Sequence, residues 1–272
     1  MTFRNSFLFC FLCLTSFTNP TQKKEQKEKK IIMAIFAHPD DEAVSNVTPL
    51  LTKYAKEGFT VYLVIATKGE LGTSQHAKIP AGDTLAMTRA GEAVCACKKL
   101  GIEPPVLLEL GDASLAKEFT GKPLRQKLDS VFKLYKPDIL ITWGPDGGYG
   151  HIDHRMVHNV VTELFQSGDY SEPQQLYYTG IPSENLKPAP NFKTWVKRMF
   201  ELWKPVKKEY LTTRIKCSKE NIADAHAAMQ CHISQFSKEE MEDIKLWMNN
   251  TNRDTVYLKP FIPVKKISYS LF

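Results

Sequence analysis

The chain predicts an α/β fold with a doubly wound, mainly parallel sheet, on three observations. Apolar runs of strand length, continuous rather than alternating, recur at 31–37, 60–67, 106–110 and 138–143, as expected of strands covered on both faces. Segments of helical periodicity separate these runs, so crossovers join the strands and leave them parallel. The first and fourth runs each lead into a cluster of imidazoles and carboxylates, His38-Pro39-Asp40-Asp41-Glu42 and His151-Ile152-Asp153-His154. Ligands of open α/β sheets bind at the carboxyl ends of strands.

Each element has a local cause. Pro39 ends the first strand and fits the first turn of a helix, where a missing N–H costs nothing. A helix is expected over 41–57, closed by Gly58. The positive end of that helix would favour ionised Asp40, Asp41 and Glu42. After strand 60–67 comes a polar loop, 68–82, longer than most connections and therefore a candidate substrate loop. Helix 84–100 is closed by Gly101 and followed by strand 106–110. A helix then opens at Pro123 and ends near Tyr135, before strand 138–143. The Gly-rich turn 144–150, a helix to about Phe165 and a fifth strand at 175–178 complete a core over 31–180. Farther on, Pro182, Pro188, Pro190 and Pro205 interrupt the pattern. There 209–214 and three pieces of 256–272 read as strand, and 218–232 and 237–249 as helix. Residues 181–272 are expected to be a C-terminal elaboration of the same domain. In the Rossmann-like order 3-2-1-4-5, strands one and four are neighbours at the switch point, so the two polar clusters share one crevice.

Composition narrows the possible partners. The 272 residues are 43% hydrophobic and 24% charged, as in an ordinary folded chain. Arg4 and the lysines of 23–30, set against Glu25 and Glu28, put +4 of the net charge of +6 in the first thirty residues. No basic stripe interleaved with aromatics follows, so a nucleic-acid partner is not expected. Residues 1–19, with Arg4 ahead of the apolar run 7–14, have the pattern of a signal peptide or short anchor, joined by a charged linker, 20–30. The expectation is export to the periplasm, envelope or exterior, with membrane contact only through this segment. The lysine run keeps a membrane-anchored, cytoplasm-facing enzyme as the alternative. Past the leader, Cys95, Cys97, Cys217 and Cys231 include no Cys-x-x-Cys, which argues against a thiolate zinc finger or a thioredoxin-type centre. They read as small buried hydrophobes, with Cys217–Cys231 as the pairing an exported chain could form.

The chemistry lies in the two clusters. His38, Asp41 and His154 make a set of two imidazoles and a carboxylate, and catalytic zinc takes three protein ligands and keeps a position for water. Zinc lowers the pKa of that water from 15.7 towards roughly 7, giving a nucleophile at neutral pH. Asp40 is then free to act as general base. His151 would assist an oxyanion as imidazolium, Tyr149 could also donate to it, and Asp153 would orient a histidine through its ring N–H. Other polar residues have plainer readings. Glu42 is a first-turn helix acid, His158 a surface residue, and His76 a solvated loop residue. His232 and Gln235 either frame the pocket or make structural hydrogen bonds. Arg89 either touches substrate or pairs with Glu92, and Trp195, Trp203 and Trp247 belong to the core. No Gly-x-Gly-x-x-Gly follows the first strand, which argues against a dinucleotide-binding dehydrogenase.

Ala37-His38-Pro39-Asp40-Asp41-Glu42 together with Gly150-His151-Ile152-Asp153-His154 resembles the zinc-dependent N-acetylglucosaminyl de-N-acetylases, the family of N-acetylglucosaminyl-phosphatidylinositol deacetylase and the LmbE-like proteins. Thr67-Lys68-Gly69-Glu70-Leu71-Gly72, Arg89-Ala90-Gly91-Glu92 and His232-Ile233-Ser234-Gln235 extend the resemblance over about residues 31–236. It implies one Zn²⁺ on His38, Asp41 and His154, Asp40 as base, His151 at the oxyanion, and an N-acetylated amino sugar or sugar conjugate as substrate. It also implies Arg89, and Asp112 after the third strand, as sugar-binding residues. Asp112 lacks the arginine usual before that aspartate, and Ile152 replaces a frequent proline. The rival reading is a non-catalytic metal- or sugar-binding domain on the same fold, against which the intact Asp40, Asp41 and both histidine positions argue.

Overall fold

A computed structural model describes Met1 and residues 29–117, 121–167, 170, 173–186, 192–250 and 254–272. The leader, most of the linker, Pro188 and Pro190 lie outside the described residues. Among the described residues, no helix is long and apolar enough to cross a membrane. The order is β1 (Ile31–Phe36), α1 (Asp41–Val44), α2 (Thr48–Lys56), β2 (Thr60–Thr67), α3 (Asp83–Leu100), β3 (Val106–Leu110), α4 (Gly121–Tyr135), β4 (Ile139–Thr142), α5 (Ile152–Ser167), β5 (Gln175–Thr179), α6 (Val196–Leu202), β6 (Thr213–Lys216), α7 (Lys219–Met229), α8 (Lys238–Asn250) and β7 (Thr255–Pro260).

The sheet runs β3-β2-β1-β4-β5-β7-β6. Its first five strands are parallel, in the doubly wound order expected, and β7 and β6 add an antiparallel edge. Alternate residues of β1 explain why both faces are covered. Ile32, Ala34 and Phe36 enter one core with residues of α2, α3, α6, α7 and α8. Met33 and Ile35 enter the other with α4 and α5. A strand apolar on both sides therefore has helices to meet on both sides. The C-terminal segment completes the same sheet, since β7 pairs with β5 and β6.

Several local expectations need correction. The helix read over 41–57 is two helices, because Asn46 takes φ +61° and Pro49 sits in the first turn of α2. An interior proline would clash with the preceding turn, so the chain restarts the helix there. The strand read at 209–214 begins only at Thr213, and within 256–272 only β7 is a strand of the sheet. Cys95, not Cys217, is bonded to Cys231. Packing of α7 along α3 brings these two together, while Cys217 is buried and free at the end of β6. Trp203 and Trp247 are in the core, but Trp195 is exposed.

Candidate active site

β1 and β4 are adjacent parallel strands, so the segments leaving their carboxyl ends meet. Thr67 holds the exit of β1 in place, donating from N and Oγ1 to the carbonyl of Ala37 at 2.8 and 2.9 Å. Beyond it the chain turns sharply. Asp40 has φ +111°, a conformation that costs a residue with a Cβ on the order of 1–3 kcal/mol and that clusters at functional sites. Asp41 then folds back, its Oδ2 accepting from the N–H groups of Ala37 and His38 at 2.9 Å each and from the Trp143 indole at 3.3 Å. With Oδ2 occupied by three donors, Oδ1 is the oxygen turned to His154 Nε2, at 3.1 Å.

His154 is fixed from behind. Its Nδ1 lies 3.0 Å from the carbonyl of Gly147, and its ring stacks on Trp143 at 4.4 Å with planes 5° apart. Facing a carbonyl, Nδ1 must carry the proton of the neutral ring, which leaves a lone pair on Nε2. That lone pair is 3.1 Å from His38 Nδ1. The other nitrogen of His38, Nε2, approaches Asp112 Oδ1 at 3.1 Å and Asp153 Oδ2 at 3.6 Å, although neither approach is directed as a hydrogen bond. Carboxylates on that side assign the proton of a neutral His38 to Nε2 and a lone pair to Nδ1. Two imidazole lone pairs and a carboxylate oxygen thus point at one another in a buried place.

Such a set suits a small cation. Donors around a tetrahedral zinc with bonds of 2.0–2.1 Å stand about 3.3 Å apart. His38 Nδ1 and His154 Nε2 are 3.1 Å apart and His154 Nε2 is 3.1 Å from Asp41 Oδ1, while the 3.6 Å approach of His38 Nδ1 is to the other oxygen of Asp41, Oδ2. His151 joins them closely enough to share an ion with His38 and His154. Burial opposes an ionised Asp41, but His154 and His38 beside it hold it well below the usual carboxylate range. Burial likewise works against a charged His38, and Asp41, with Asp112 and Asp153, outweighs it and raises the ring well above its ordinary value.

The remaining candidates are arranged around this set. Burial lifts Asp40 to about 6, with Arg89 pulling it down and Asp41 pushing it up. The helix-end stabilisation expected for it is outweighed by burial. Arg89 is buried. It donates to the carbonyls of Pro39 at 2.5 Å and Gly69 at 2.9 Å and reaches Asp40 Oδ1 at 3.2 Å. Its acidic partner is therefore Asp40 rather than Glu92, which instead accepts from the Ser234 N–H and hydroxyl at 2.7 Å each. Gly69 and Gly72 make the room, since a Cβ on either would come 2.4 Å from the guanidinium.

Asp112 faces His38. Burial would raise it, but His38 and the N–H groups of Leu71 and Ala113 bring it to about 2. Asp153 accepts from the Leu115 N–H at 3.2 Å. His151 Nδ1 accepts from the Asp153 N–H at 3.2 Å, so the neutral ring can donate only through Nε2. Burial, then the nearness of His154 and His38, lowers its pKa. Tyr149 packs its ring edge-on against His154, and burial raises its phenol.

His158 is not on the surface. One turn beyond His154 on the inward face of α5, it is buried with Nδ1 2.9 Å from the Trp143 carbonyl. Glu42 is fully buried against His232, at 2.7 Å. Gln235 donates to the Gly72 carbonyl at 2.9 Å, and exposed His76 meets the carbonyl of Ile233 at 2.8 Å. One participant escaped the sequence reading, Trp143 as the rest for His154, while Asp112, expected as a sugar-binding residue, stands beside His38. A tryptophan closing a sheet strand just before a Gly-rich turn was the available signal for Trp143.

Residues 33–165 match the family described as PIG-L: GlcNAc-PI de-N-acetylase. A curated relative, 1D-myo-inositol 2-acetamido-2-deoxy-alpha-D-glucopyranoside deacetylase of Mycobacteroides abscessus, is 30% identical over 175 residues, which span 57% of this chain and 62% of the relative. Among solved structures, N,N'-diacetylchitobiose deacetylase from Pyrococcus horikoshii superposes with a TM-score of 0.63 at 17% identity, covering 86% of this chain and 84% of that one. GalB, the 4-carboxy-2-hydroxymuconate hydratase of Pseudomonas putida, superposes with a TM-score of 0.59 at 15% identity, covering 89% of this chain and 100% of that one. A deacetylase and a hydratase thus share the fold, and the chemistry has to be argued from the site. Residues 33–165, just under half of the chain, carry the first four strands of the sheet and both strand-end clusters and are the part that matches the PIG-L family.

Proposed function

We propose that this protein is a metal-dependent N-deacetylase that removes acetyl from an N-acetylglucosamine-type amino sugar or its conjugate. The observation that carries the reading is the convergence of His38 Nδ1, His154 Nε2 and Asp41 at 3.1–3.6 Å, with Asp40 beside them. In this reading His38, Asp41 and His154 hold one divalent ion, zinc by the chemistry of the donor set. When bound, the ion supplies Lewis-acid activation of water and of the acetamide carbonyl at neutral pH.

The chain's own residues do the rest. Asp40 accepts a proton from the attacking water and returns it to the departing amine, so that the C–N bond breaks to give acetate and a free amino sugar. A carboxyl lifted to about 6 by burial suits both halves of that exchange. His151 donates through Nε2 to the oxygen that becomes negative, and its neutral ring serves as a donor without being an imidazolium. Tyr149 stands beside it as a second group for that oxygen. Asp112 and Asp153 set negative charge beside His38 Nε2, and Arg89 braces Asp40. The Cys95–Cys231 bond favours an oxidising compartment, in keeping with an exported protein.

The test is acetate release from a panel of N-acetylated sugars and glycolipids by zinc-loaded protein, beside Asp40→Asn with its zinc content measured. We expect release by the wild type and a fall of about 10²–10⁴ in kcat for the variant at unchanged metal. Full turnover by Asp40→Asn removes the base assignment, and no release from any member of the panel removes the activity.

A further inference from the structure

The Pro39–Asp40 peptide is gripped from both sides. Its carbonyl accepts from Arg89 Nη2 at 2.5 Å, and its N–H donates to Glu42 Oε2 at 3.3 Å. A trans peptide presents these two groups in opposite directions, so Arg89 and Glu42 hold the unit between them. The grip falls where the backbone is strained. Asp40 has φ +111° and ψ −17°, and such a conformation persists only where its surroundings over-determine it. Asp40 also occupies the N-cap of α1 without using its side chain as a cap. An aspartate there ordinarily gives a carboxylate oxygen to the N–H groups of the first turn. Here the support runs the other way. Glu42, the second residue of α1, reaches back to the N-cap N–H, as the acid of a capping box does from the third. The Asp40 carboxylate is left free of the backbone, 3.2 Å from Arg89.

What places Glu42 is remote in sequence. Its Oε1 meets His232 Nε2 at 2.7 Å, and both side chains are wholly shut off from solvent. His232 Nε2 faces a carboxylate, so that nitrogen carries a proton and donates it. A charge-assisted contact of this length fixes which oxygen each neighbour receives, Oε1 for His232 and Oε2 for the Asp40 N–H. His232 stands in turn on a segment bound to α3, since Ser234 gives both its N–H and its hydroxyl to Glu92. An anchor on α3 is thereby carried through two buried side chains to the peptide ahead of Asp40.

We propose that Glu42 and His232 are a positioning pair for the proton-transfer group: together they fix the Pro39–Asp40 peptide and so aim the Asp40 carboxylate. The use of the pair in the reaction rests on the proposed reading of Asp40 as general base, whereas its grip on the peptide does not. Arg89 holds the side chain of Asp40, and Glu42 with His232 holds its backbone.

Two readouts on zinc-loaded full-length protein separate the grip from its use. Amide hydrogen exchange, followed by NMR, reports the hold on the Asp40 N–H. The amide of Ala34, paired with both β2 and β4, measures global opening in the same sample. Steady-state deacetylation reports the use. Glu42→Met keeps the volume and loses the acceptor. Glu42→Gln keeps an oxygen for the Asp40 N–H and turns its NH2 to His232 in the ring's other neutral tautomer. In Glu42→Met we expect Asp40 exchange to rise at least about tenfold against Ala34, and kcat to fall about tenfold, with KM within about twofold and one zinc retained. Glu42→Gln should bring both back to within about threefold of wild type. A merely structural role would lower the urea midpoint and leave the kcat of folded protein alone. If Glu42→Met does not fold, Glu42→Met/His232→Phe, which leaves neither partner of the pair buried alone, is read the same way. Unmoved Asp40 exchange overturns the grip. Faster exchange at wild-type kcat, or a Glu42→Gln as slow as Glu42→Met, overturns the positioning role. If the wild type releases no acetate from any substrate, the base reading falls with the activity. Loosened exchange in Glu42→Met would then keep the pair as the support of the Asp40 turn, and unmoved exchange would strike it too.

Discussion

Asp41 and Glu42 are consecutive residues, both buried, and they serve two different polar clusters. Asp41 joins His38 and His154, where lone pairs converge and His38 Nε2 and Asp153 Oδ2 find no hydrogen-bond partner. Glu42 joins the segment 231–236, where the acids are met by donors. Its Oε1 takes His232 at 2.7 Å and its Oε2 the Asp40 N–H at 3.3 Å, while Glu92 takes both donors of Ser234. That same segment holds the loop after β2 through Gln235 on Gly72, Ser74 on the Ser234 carbonyl at 2.5 Å, and His76 on Ile233. The first cluster leaves its polar atoms for something bound, and the second spends nearly all of them on the chain itself. Of its buried atoms, His232 Nδ1 is the exception. Conservatively deleting one histidine from each should therefore fail in different ways.

The largest expected effect is in the first cluster. His154→Ala should retain no stoichiometric zinc and lose at least about 10³ in kcat/KM. Its urea midpoint should stay close to that of the metal-stripped wild type. Metal analysis and denaturation on the same sample check this, and a full equivalent of zinc in the variant takes His154 off the ligand set. His232→Ala should do the opposite. Leaving Glu42 buried without its partner costs about 3–5 kcal/mol, read as a lowered midpoint, while folded protein still binds one zinc. Loss of metal at unchanged stability would mean that the two clusters are one.

The disulfide sharpens the same contrast at smaller cost. It closes a separation of 136 residues and ties α3 to the start of the 231–236 segment, so it belongs with the self-satisfied cluster. Cys95→Ser/Cys231→Ser should lose about 2–4 kcal/mol of stability and keep its zinc and its kcat. A collapse of zinc binding on reduction would place the bond in the catalytic machinery instead.

Sequence made the first cluster readable and left the second obscure, for physical reasons. β1, β2 and β4 are continuous apolar runs joined by crossovers, and in the doubly wound order 3-2-1-4-5 the first and fourth are neighbours, so the meeting of His38 with His154 followed from that one assumption about order. The bond between Cys95 and Cys231 could not be derived, because a single bond among four cysteines can be drawn in six ways and only the packing of α7 on α3 selects this one. Glu42 read as a helix-start acid because its partner lies 190 positions away. Other misreadings were avoidable. Pro49 was a visible break in the helix drawn over 41–57. His158, four residues after His154, had to share the inward face of α5.

The smallest predicted effect concerns Arg89, which borders both clusters. As a sugar-gripping residue it would owe the substrate a hydrogen bond, and disturbing it would raise KM. As found, its guanidinium is enclosed by Gly69 and Gly72 and directed at Asp40 and two carbonyls, so disturbing it should alter the base rather than the grip. Gly72→Ala makes the distinction without removing the charge. The new methyl would come 2.4 Å from Arg89 Nη1, a conflict that forces the guanidinium aside while Gly72 itself needs no left-handed backbone. Displacement of about this kind costs roughly 1–3 kcal/mol in a packed interior. If about 1 kcal/mol of that reaches the transition state through Asp40, kcat falls roughly fivefold with KM nearly unchanged. Steady-state kinetics on one substrate decides between the roles. A rise in KM at constant kcat returns Arg89 to the sugar, and a fall in kcat alone keeps it as the brace of the proton-transfer group.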